Sequence, residues 1–127
     1  MSTIRVDNFG PSAGGATYSA RGIAKAWVNF NGTGTIAARD SENVSSLTDN
    51  GTGDYTVNIG NDFGAVDFTY SILGRRNNAT QRPIVGGMAT STYVPTVSSL
   101  RFITWVEAAA AAEDAIDVNV ASYGDLA

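Results

Sequence analysis

Hydrophobic and polar residues alternate at every second position along several short stretches of the chain. This spacing is the period of a β-strand with one buried face. The clearest case is Val66, Phe68, Tyr70 and Ile72, which are separated by polar residues. We therefore predict about six or seven short strands. The alternating stretches are 24–30, 55–59, 66–72, 100–106 and 116–120, with a less regular one at 35–41.

Turn signals separate these stretches. The tetrapeptide Asn-Gly-Thr-Gly occurs at 31–34 and again at 50–53, and Asn-Gly accepts the positive φ angles of tight hairpins. Residues 83–97 are broken by Pro and Gly, which allows an edge strand at most. The Ala-rich run 107–115 predicts one helical turn or a loop. The expected fold is all-β: an antiparallel β-sandwich, either jelly-roll-like or an open barrel.

The first 22 residues differ from the rest. They are small, polar and rich in Gly, and they lack the apolar core of a secretory signal. One interpretation is an extended N-terminal arm that orders against a partner, with Ile4, Val6 and Phe9 as its anchors. The other is a frayed terminus. We expect two regions, an arm at 1–22 and a β-sandwich domain at 23–127.

Composition narrows the function. The protein has no His, no Cys and a single Lys, Lys25, so a His general base, a thiolate nucleophile and an ordinary zinc site are excluded. Val, Ile and Thr together number 32, against four Leu, which favours strands. The net charge is −4, unlike the basic surface of a nucleic-acid binder. No apolar run is long enough to span a membrane. We expect no enzyme and no cofactor.

Two acidic patterns could carry chemistry. Asp49, Asn50 and Asp54 resemble a calcium loop, although Gly residues stand where further ligands belong, so a plain hairpin turn is the favoured interpretation. Two carboxyl groups held in a cleft could cleave a glycoside, although acids meet by chance in any protein with twelve of them. We expect no metal site and no hydrolase. The acids considered for hydrolysis are Asp40, Glu42, Asp62 and Asp67.

A polar segment contains the only local excess of positive charge, Arg75, Arg76 and Arg82. Arginine binds phosphates and sugar acids through two parallel hydrogen bonds, so the segment could contact such a ligand. The favoured alternative is a solvated loop, or pairing with Asp of a neighbouring subunit.

Large side chains also occupy the nominally polar face of two strands. Trp27 and Trp105, with Ile103 beside the latter, alternate with residues expected in the core. A second buried face indicates contact with another subunit. The alternative is a strand register shifted by one residue, which would put both Trp residues in the core.

Three runs of the sequence resemble a module of tailed-bacteriophage virion proteins, found at the distal end of tail fibres and in similar head- or tail-attached fibres. A fourth run, 2–8, resembles a short leader on many phage fibre and decoration proteins. The resemblance covers about half of the protein. The middle, 61–115, shares only a strand-like, variable character. The runs are 24–36 (Ala-Lys-Ala-Trp-Val-Asn-Phe-Asn-Gly-Thr-Gly-Thr-Ile), 43–59 (Asn-Val-Ser-Ser-Leu-Thr-Asp-Asn-Gly-Thr-Gly-Asp-Tyr-Thr-Val-Asn-Ile), 2–8 (Ser-Thr-Ile-Arg-Val-Asp-Asn) and 118–125 (Val-Asn-Val-Ala-Ser-Tyr-Gly-Asp).

The resemblance implies a β-rich, usually trimeric structural protein of the virion, assembled in the host cytoplasm and exposed on the particle. A long stalk or a baseplate-binding domain usually precedes the module, whereas only 1–22 precede it here. We therefore expect a homotrimeric capsid decoration or cement protein attached to the major capsid protein by its arm. The alternative is a tail fibre or receptor-binding tip, with tail or baseplate proteins and a host surface glycan as partners.

Overall fold

An antiparallel sheet of nine strands curls into a nearly closed barrel, and a separate two-stranded ribbon lies N-terminal to it. The computed structural model describes residues 2–3, 5–10, 13–76, 84–87, 93–106 and 110–127, with Tyr18 and Arg21 described by backbone alone. The strands are β1 (Asn8–Phe9), β2 (Tyr18–Ser19), β3 (Ala26–Asn31), β4 (Ala37–Glu42), β5 (Val44–Gly51), β6 (Asp54–Ile59), β7 (Thr69–Arg75), β8 (Ile84–Gly87), β9 (Ser99–Val106), β10 (Ala111–Ala112) and β11 (Asp117–Tyr123).

The strand order around the barrel is β4-β3-β11-β7-β8-β9-β6-β5, with β10 added beside β9. The two outermost strands, β4 and β5, follow each other in sequence and meet at Asn43. The Asn43 backbone has a φ of 53°, which Asn tolerates better than most residues. Its side chain donates to the carbonyls of Lys25 and Asn61 at 3.0 and 3.1 Å. Asn43 therefore fixes the corner where the sheet turns back on itself.

The core fills the interior of the barrel because the long strands alternate between buried and accessible residues. Phe30 and Tyr55 meet edge to face with ring centroids 5.2 Å apart, a favourable aromatic geometry. Phe63 and Phe68 stack at 4.2 Å on the segment between β6 and β7. The largest fully buried side chains are Tyr55, Phe30, Phe63, Phe102, Leu100, Val28, Val57, Val106, Val118, Thr104 and Ser122.

Glycines allow the narrow pairing of β7 with β8. Gly74 lies opposite Ile84 in the register. A Cβ at Gly74 would lie 2.0 Å from Cγ2 of Ile84, and one at Gly86 would lie 1.9 Å from Cγ2 of Ile72. Each isoleucine thus occupies the space that a side chain on the neighbouring strand would need, so interior packing demands glycine at both positions.

Buried hydrogen bonds close one end of the barrel. The Tyr55 hydroxyl donates to the Gly32 carbonyl at 2.7 Å and lies 3.1 Å from Oδ1 of Asp114. The same carboxylate accepts a bond from the Gly53 amide at 2.6 Å, and the Gly53 carbonyl accepts from the Thr104 amide at 2.7 Å. Burial raises the pKa of Tyr55 well above its ordinary value of 10.0, and the Asp114 charge adds to this effect.

The all-β class and the antiparallel pairing expected from the sequence are confirmed. The inward alternation predicted for 24–30, 55–59 and 100–106 is also found. A single continuous sheet replaces the expected two-sheet sandwich, which is not confirmed, and the strands exceed the predicted six or seven. Strand β5 was missed because most of its residues are polar and exposed, which leaves no alternating apolar face to recognise.

Four further expectations need correction. Strand β8 lies between β7 and β9 and pairs with both, so it is not an edge strand. None of its four residues is Pro, so each backbone amide has a hydrogen to donate. Ala111–Ala112 pairs with β9, where a helical turn or a loop was expected. Val66 is exposed, since β7 begins only at Thr69. The arm is not fully extended, because Asn8–Phe9 pairs with Tyr18–Ser19.

Candidate interaction surface on the outer face of the barrel

A row of large apolar side chains crosses the outer face of three neighbouring strands. Leu73 on β7 lies opposite Val85 on β8, and Val85 lies opposite Trp105 on β9. Residues directly opposite in adjacent strands have Cβ atoms about 4.5–5.5 Å apart, so the three side chains form a continuous row. Leu73 is 68% exposed and Val85 is 54% exposed, whereas Trp105 is partly buried.

Trp27 lies on the same outer face but two residues out of register with this row. It lies opposite Ala121 on β11, and Ala121 lies opposite Ser71 on β7, whereas Leu73 lies opposite the polar Asn119. A shallow groove of about 380 Å³ has both Trp27 and Leu73 in its walls. Ile103 occupies the outward position two residues before Trp105 on β9. We call Trp27, Leu73, Val85, Ile103 and Trp105 the apolar band.

The outward position of both Trp residues decides between two interpretations of the sequence. Ala26 and Val28, which flank Trp27, are buried, and the flanking residues of Trp105 are buried as well. The registers are therefore as predicted, and the alternative that put both Trp residues in the core is wrong. Whether a second subunit covers Trp27, Ile103 and Trp105 remains a prediction.

Charged side chains from β4, β11 and β7 meet at one side of the apolar band. Asp117 pairs with both Arg39 and Arg75. Arg39 also donates to the Ile116 carbonyl at 2.6 Å. Arg76 forms a two-pronged ion pair with Glu113, one bond of which measures 2.6 Å. These arginines are held by carboxylates of the same protein molecule.

This pairing changes the expectation for the Arg-rich segment. Arg75 closes strand β7 and Arg76 follows it. The Arg75 side chain is 69% exposed and that of Arg76 is 13% exposed, and the carboxylates that bind both belong to the same protein molecule. Asp117 and Glu113 thus already compensate their charges, which weakens the prediction of an external anionic ligand. Arg82 lies outside the described residues.

A second polar cluster borders the band beside Ile103. Arg101 donates to both carboxylate oxygens of Asp54, at 3.0 and 2.8 Å. The Tyr93 hydroxyl donates to the same carboxylate at 2.9 Å, and the Arg101 guanidinium lies 4.6 Å from the centre of the Tyr93 ring. The hydrogen bonds from Arg101 lower the pKa of Asp54 below its ordinary value. Tyr93 is thereby pinned against the outer face of β6 and β9.

The remaining outer surface, on β5 and β6, is polar. Asn58 donates to the hydroxyls of Ser46 and Thr48 at 3.0 and 3.2 Å, and Asn50 donates to the Thr56 hydroxyl at 2.9 Å. Hydroxyl and amide groups cover this half. The apolar band lies on the other half, where the hydrogen-bonded pair Asn29 and Asn119 separates Trp27 from Leu73. The barrel therefore presents two chemically different outer faces.

The side chains that would bind calcium at 49–54 are bonded to other groups of the protein. Asp49 accepts a bond from the Gly51 amide at 3.0 Å, and Asp54 is taken up by Arg101. The segment forms the β5–β6 hairpin, as the favoured interpretation predicted. Within the described part of the protein, no group of three or more metal-ligating side chains comes together. The hydrolase candidates lie on separate elements, Asp40 and Glu42 on β4 and the other two in the segment between β6 and β7.

The N-terminal segment exposes apolar side chains beside the barrel. Val6 is 55% exposed and Phe9 is 46% exposed, and Phe9 belongs to the β1–β2 ribbon. Val6 shares a shallow groove with Lys25 and Asp125. Lys25 in turn donates to the Ala20 carbonyl at 2.9 Å, which ties the end of the ribbon to the barrel. Ile4, the third predicted anchor, lies outside the described residues.

Sequence reasoning missed Leu73 and Val85, the two most exposed members of the apolar band. Leu73 continues the outward positions of β7 beyond the predicted end of that strand, so extending the alternation would have found it. Val85 gave no usable signal, because a four-residue strand between Pro and Gly shows too little alternation. Tyr93 and Asp114 were also missed, since only folding brings them to their partners.

No family model matches the sequence, and neither a curated protein nor a solved structure matches it. Among the described residues, no helix has the length and apolar character needed to cross a membrane.

Proposed function

We propose that the protein is a non-enzymatic structural component of a tailed-phage virion, a homotrimeric capsid decoration or cement protein. The observation that carries the proposal is the apolar band, which crosses adjacent strands on the outside of a barrel that already has its own core. The resemblance of four sequence runs to phage virion proteins supplies the virion context and the trimeric state.

Exposed apolar surface of this kind marks an interaction site. Leu73 is 68% exposed, and Val85, opposite it on the next strand, is 54% exposed. Partly buried Trp residues flank the pair. Interface centres are enriched in such aromatic anchors and are bordered by polar groups, as the band is by Asp117 and Asp54 with their arginines. A symmetric oligomer would bury the band of each copy.

The arm supplies the attachment. Val6 and Phe9 offer apolar groups at the opposite end of the barrel from the Tyr55 network, next to the first residues of the protein. Apolar anchors on a terminal segment bind a preformed groove when several copies act together, since multivalent attachment offsets the ordering entropy. The major capsid protein is the proposed partner.

The oligomeric state tests the first part of the proposal. Static light scattering on the purified protein at micromolar concentration is expected to give a trimer mass. Leu73→Lys puts a charge in the band and is expected to give a folded monomer, whereas Thr48→Lys on the polar half of the barrel is expected to remain a trimer. A monomeric wild type, or a Leu73→Lys variant that stays trimeric with an unchanged circular dichroism spectrum, contradicts the interface.

Particle binding tests the second part. Protein lacking residues 2–20 is expected to stay trimeric but to lose binding to particles that lack the protein. Retained binding by this truncated protein overturns attachment through the arm. Location of the protein on the head or on the tail, by labelled antibody in electron micrographs, separates decoration from the fibre alternative.

The polar half of the barrel favours a second candidate, a tail fibre or receptor-binding tip. Its hydroxyl and amide side chains on β5 and β6 are the groups that hydrogen-bond sugars. A receptor-binding tip would compete with the phage for its host, so purified protein would block adsorption. A decoration protein would leave adsorption unchanged.

A further inference from the structure

Two Asn-Gly dipeptides occur in the sequence, Asn31-Gly32 and Asn50-Gly51. Asn followed by Gly is prone to spontaneous deamidation, because glycine has no side chain to hinder attack of its amide nitrogen on the Asn side chain. We propose that Asn50 is a site of spontaneous deamidation in the folded protein, whereas Asn31 is protected by the fold. The proposal is independent of the function proposed above.

The buried end of the barrel locks Asn31-Gly32. The attacking atom would be the Gly32 nitrogen, which donates to the Ala115 carbonyl at 2.9 Å. The Gly32 carbonyl is held by the Tyr55 hydroxyl, and Gly32 itself is buried. The Asn31 side chain is engaged at both ends, donating to the Thr33 carbonyl and accepting from the Thr33 amide and hydroxyl. Attack therefore requires opening of the barrel end.

Asn50-Gly51 lies at the exposed tip of the β5–β6 hairpin. The Gly51 nitrogen donates to Oδ1 of Asp49 at 3.0 Å, and Gly51 pairs with Asp54, so its contacts stay within the hairpin. A Cβ placed on Gly51 would meet nothing within 4 Å, and its φ of +136° is one that glycine adopts readily. The exposed Asn50 side chain donates to two partly buried residues of the adjoining strand, Asp54 at 3.5 Å and Thr56 at 2.9 Å. Local fluctuation of the tip is enough to free both reacting groups.

The reaction needs only water. The Gly51 nitrogen attacks Cγ of Asn50, a new N–C bond closes a five-membered imide, and the bond between Cγ and Nδ2 of Asn50 breaks. The amide nitrogen leaves as ammonia and carries away the Gly51 proton. Water then opens the ring at either carbonyl and yields Asp or isoaspartate at position 50.

The product changes the chemistry of the tip. An amide that donates to Asp54 and Thr56 becomes a carboxylate, which only accepts. The new carboxylate adds one negative charge to the protein's formal net charge of −4 and lies next to Asp49. Because Asp54 holds Arg101, the new charge lies beside the cluster that borders the apolar band.

Mass spectrometry of the protein after ageing tests the proposal. Trypsin cuts after Lys25, Arg39 and Arg75 and so separates the two sites, with Asn31 in the peptide 26–39 and Asn50 in the peptide 40–75. After incubation of the folded protein in mildly alkaline buffer, fragment ions are expected to locate the amide-to-acid mass change at Asn50. Its rate is expected to exceed that at Asn31 by about tenfold or more, because the protected site reacts only when the barrel opens.

Two controls make the test decisive. The Asn50→Gln variant is expected to lose the modification, because the longer glutamine would have to close a six-membered ring, which forms much more slowly. In concentrated urea the difference between the two sites is expected to disappear, since both sequences read Asn-Gly-Thr-Gly. Equal rates at the two sites in the folded protein overturn the proposal, as does reaction of both sites in urea with neither in the folded protein.

Discussion

The Tyr55 hydroxyl offers the sharpest test of how the barrel end is held closed. Tyr55→Phe keeps the ring that packs edge to face on Phe30 and removes only the oxygen that donates to Gly32. The Gly32 carbonyl then stays buried without that donor, whereas Asp114 retains its bond from the Gly53 amide. We expect the free energy of unfolding to fall without any change in the fold.

The expected loss in the free energy of unfolding follows from the burial of the Gly32 carbonyl. A buried carbonyl left without its donor costs about 1–3 kcal/mol, more than the net value of an ordinary hydrogen bond. With an unfolding entropy of about 2.1 cal/mol/K per residue, 1 kcal/mol shifts the melting temperature of a domain of this length by about 4 °C. Tyr55→Phe should therefore lower the Tm by about 4–11 °C.

The assay is thermal unfolding followed by circular dichroism at fixed protein concentration, because oligomers melt at concentration-dependent temperatures. Tyr70→Phe is the matched control, since the partly buried Tyr70 hydroxyl has no hydrogen-bond partner among the described residues. Its Tm should change by less than about 2 °C. Equal losses of Tm in Tyr55→Phe and Tyr70→Phe would contradict the role of the Tyr55 hydroxyl in holding the barrel end closed.

Alkaline pH provides an independent check on the same hydroxyl. The pKa of Tyr55 is raised in the folded state, so its contribution is complete below the ordinary value of 10.0. It is lost progressively as the pH rises above that value, because the unfolded protein then releases the phenolic proton and the folded protein does not. The stability difference between wild type and Tyr55→Phe should therefore narrow above about pH 10.

Two further predictions concern packing and the outer face. Gly86→Ala should destabilise the protein by about 1–3 kcal/mol in urea unfolding, because the new Cβ would overlap Ile72. Gly87→Ala is the control and should be nearly neutral, because its Cβ would meet no atom within 4 Å. Similar losses in the two variants would argue against steric exclusion at Gly86. Asp54→Asn removes a carboxylate whose pKa is lowered by Arg101, so the stability it contributes is present above about pH 4 and lost below. Urea midpoints should thus separate wild type from Asp54→Asn at neutral pH and draw together as the pH falls below about 4; a constant gap would contradict the ion pair.

Much of the candidate surface could be predicted where a strand alternates strongly. The alternation placed Trp27, Ile103 and Trp105 on the outward face of their strands and left a register shifted by one residue as the alternative for the two Trp residues. The buried neighbours of both Trp residues decide for the outward face. Leu73 and Val85 were not identified, since one lies beyond the predicted end of its strand and the other in a strand of four residues. The row formed by these side chains depends on which strands are neighbours, and alternation within one strand carries no such information.

The ion pairs of Arg75 and Arg76 could not be predicted from the local sequence either. The sequence places Arg75 and Arg76 in a polar segment, but their partners Asp117 and Glu113 lie about 40 residues further along the sequence. Only the pairing of β7 with β11 brings Arg75 to Asp117. A contact between distant residues is set by sheet topology, so a prediction from local sequence assigned these arginines to solvent, to a ligand or to another subunit.

Local periodicity and turn chemistry were enough to predict the β class, the positions of most long strands and the two Asn-Gly hairpins. Only the folded protein shows the strand order, the outward face of each Trp, the closure of the sheet through Asn43 and the buried network around Tyr55. Gly32 and Gly51 occupy the same motif in sequence, yet the Gly32 amide is bonded across the barrel, whereas the contacts of Gly51 stay within its own hairpin. That difference arises because burial and long-range hydrogen bonds belong to the folded protein as a whole.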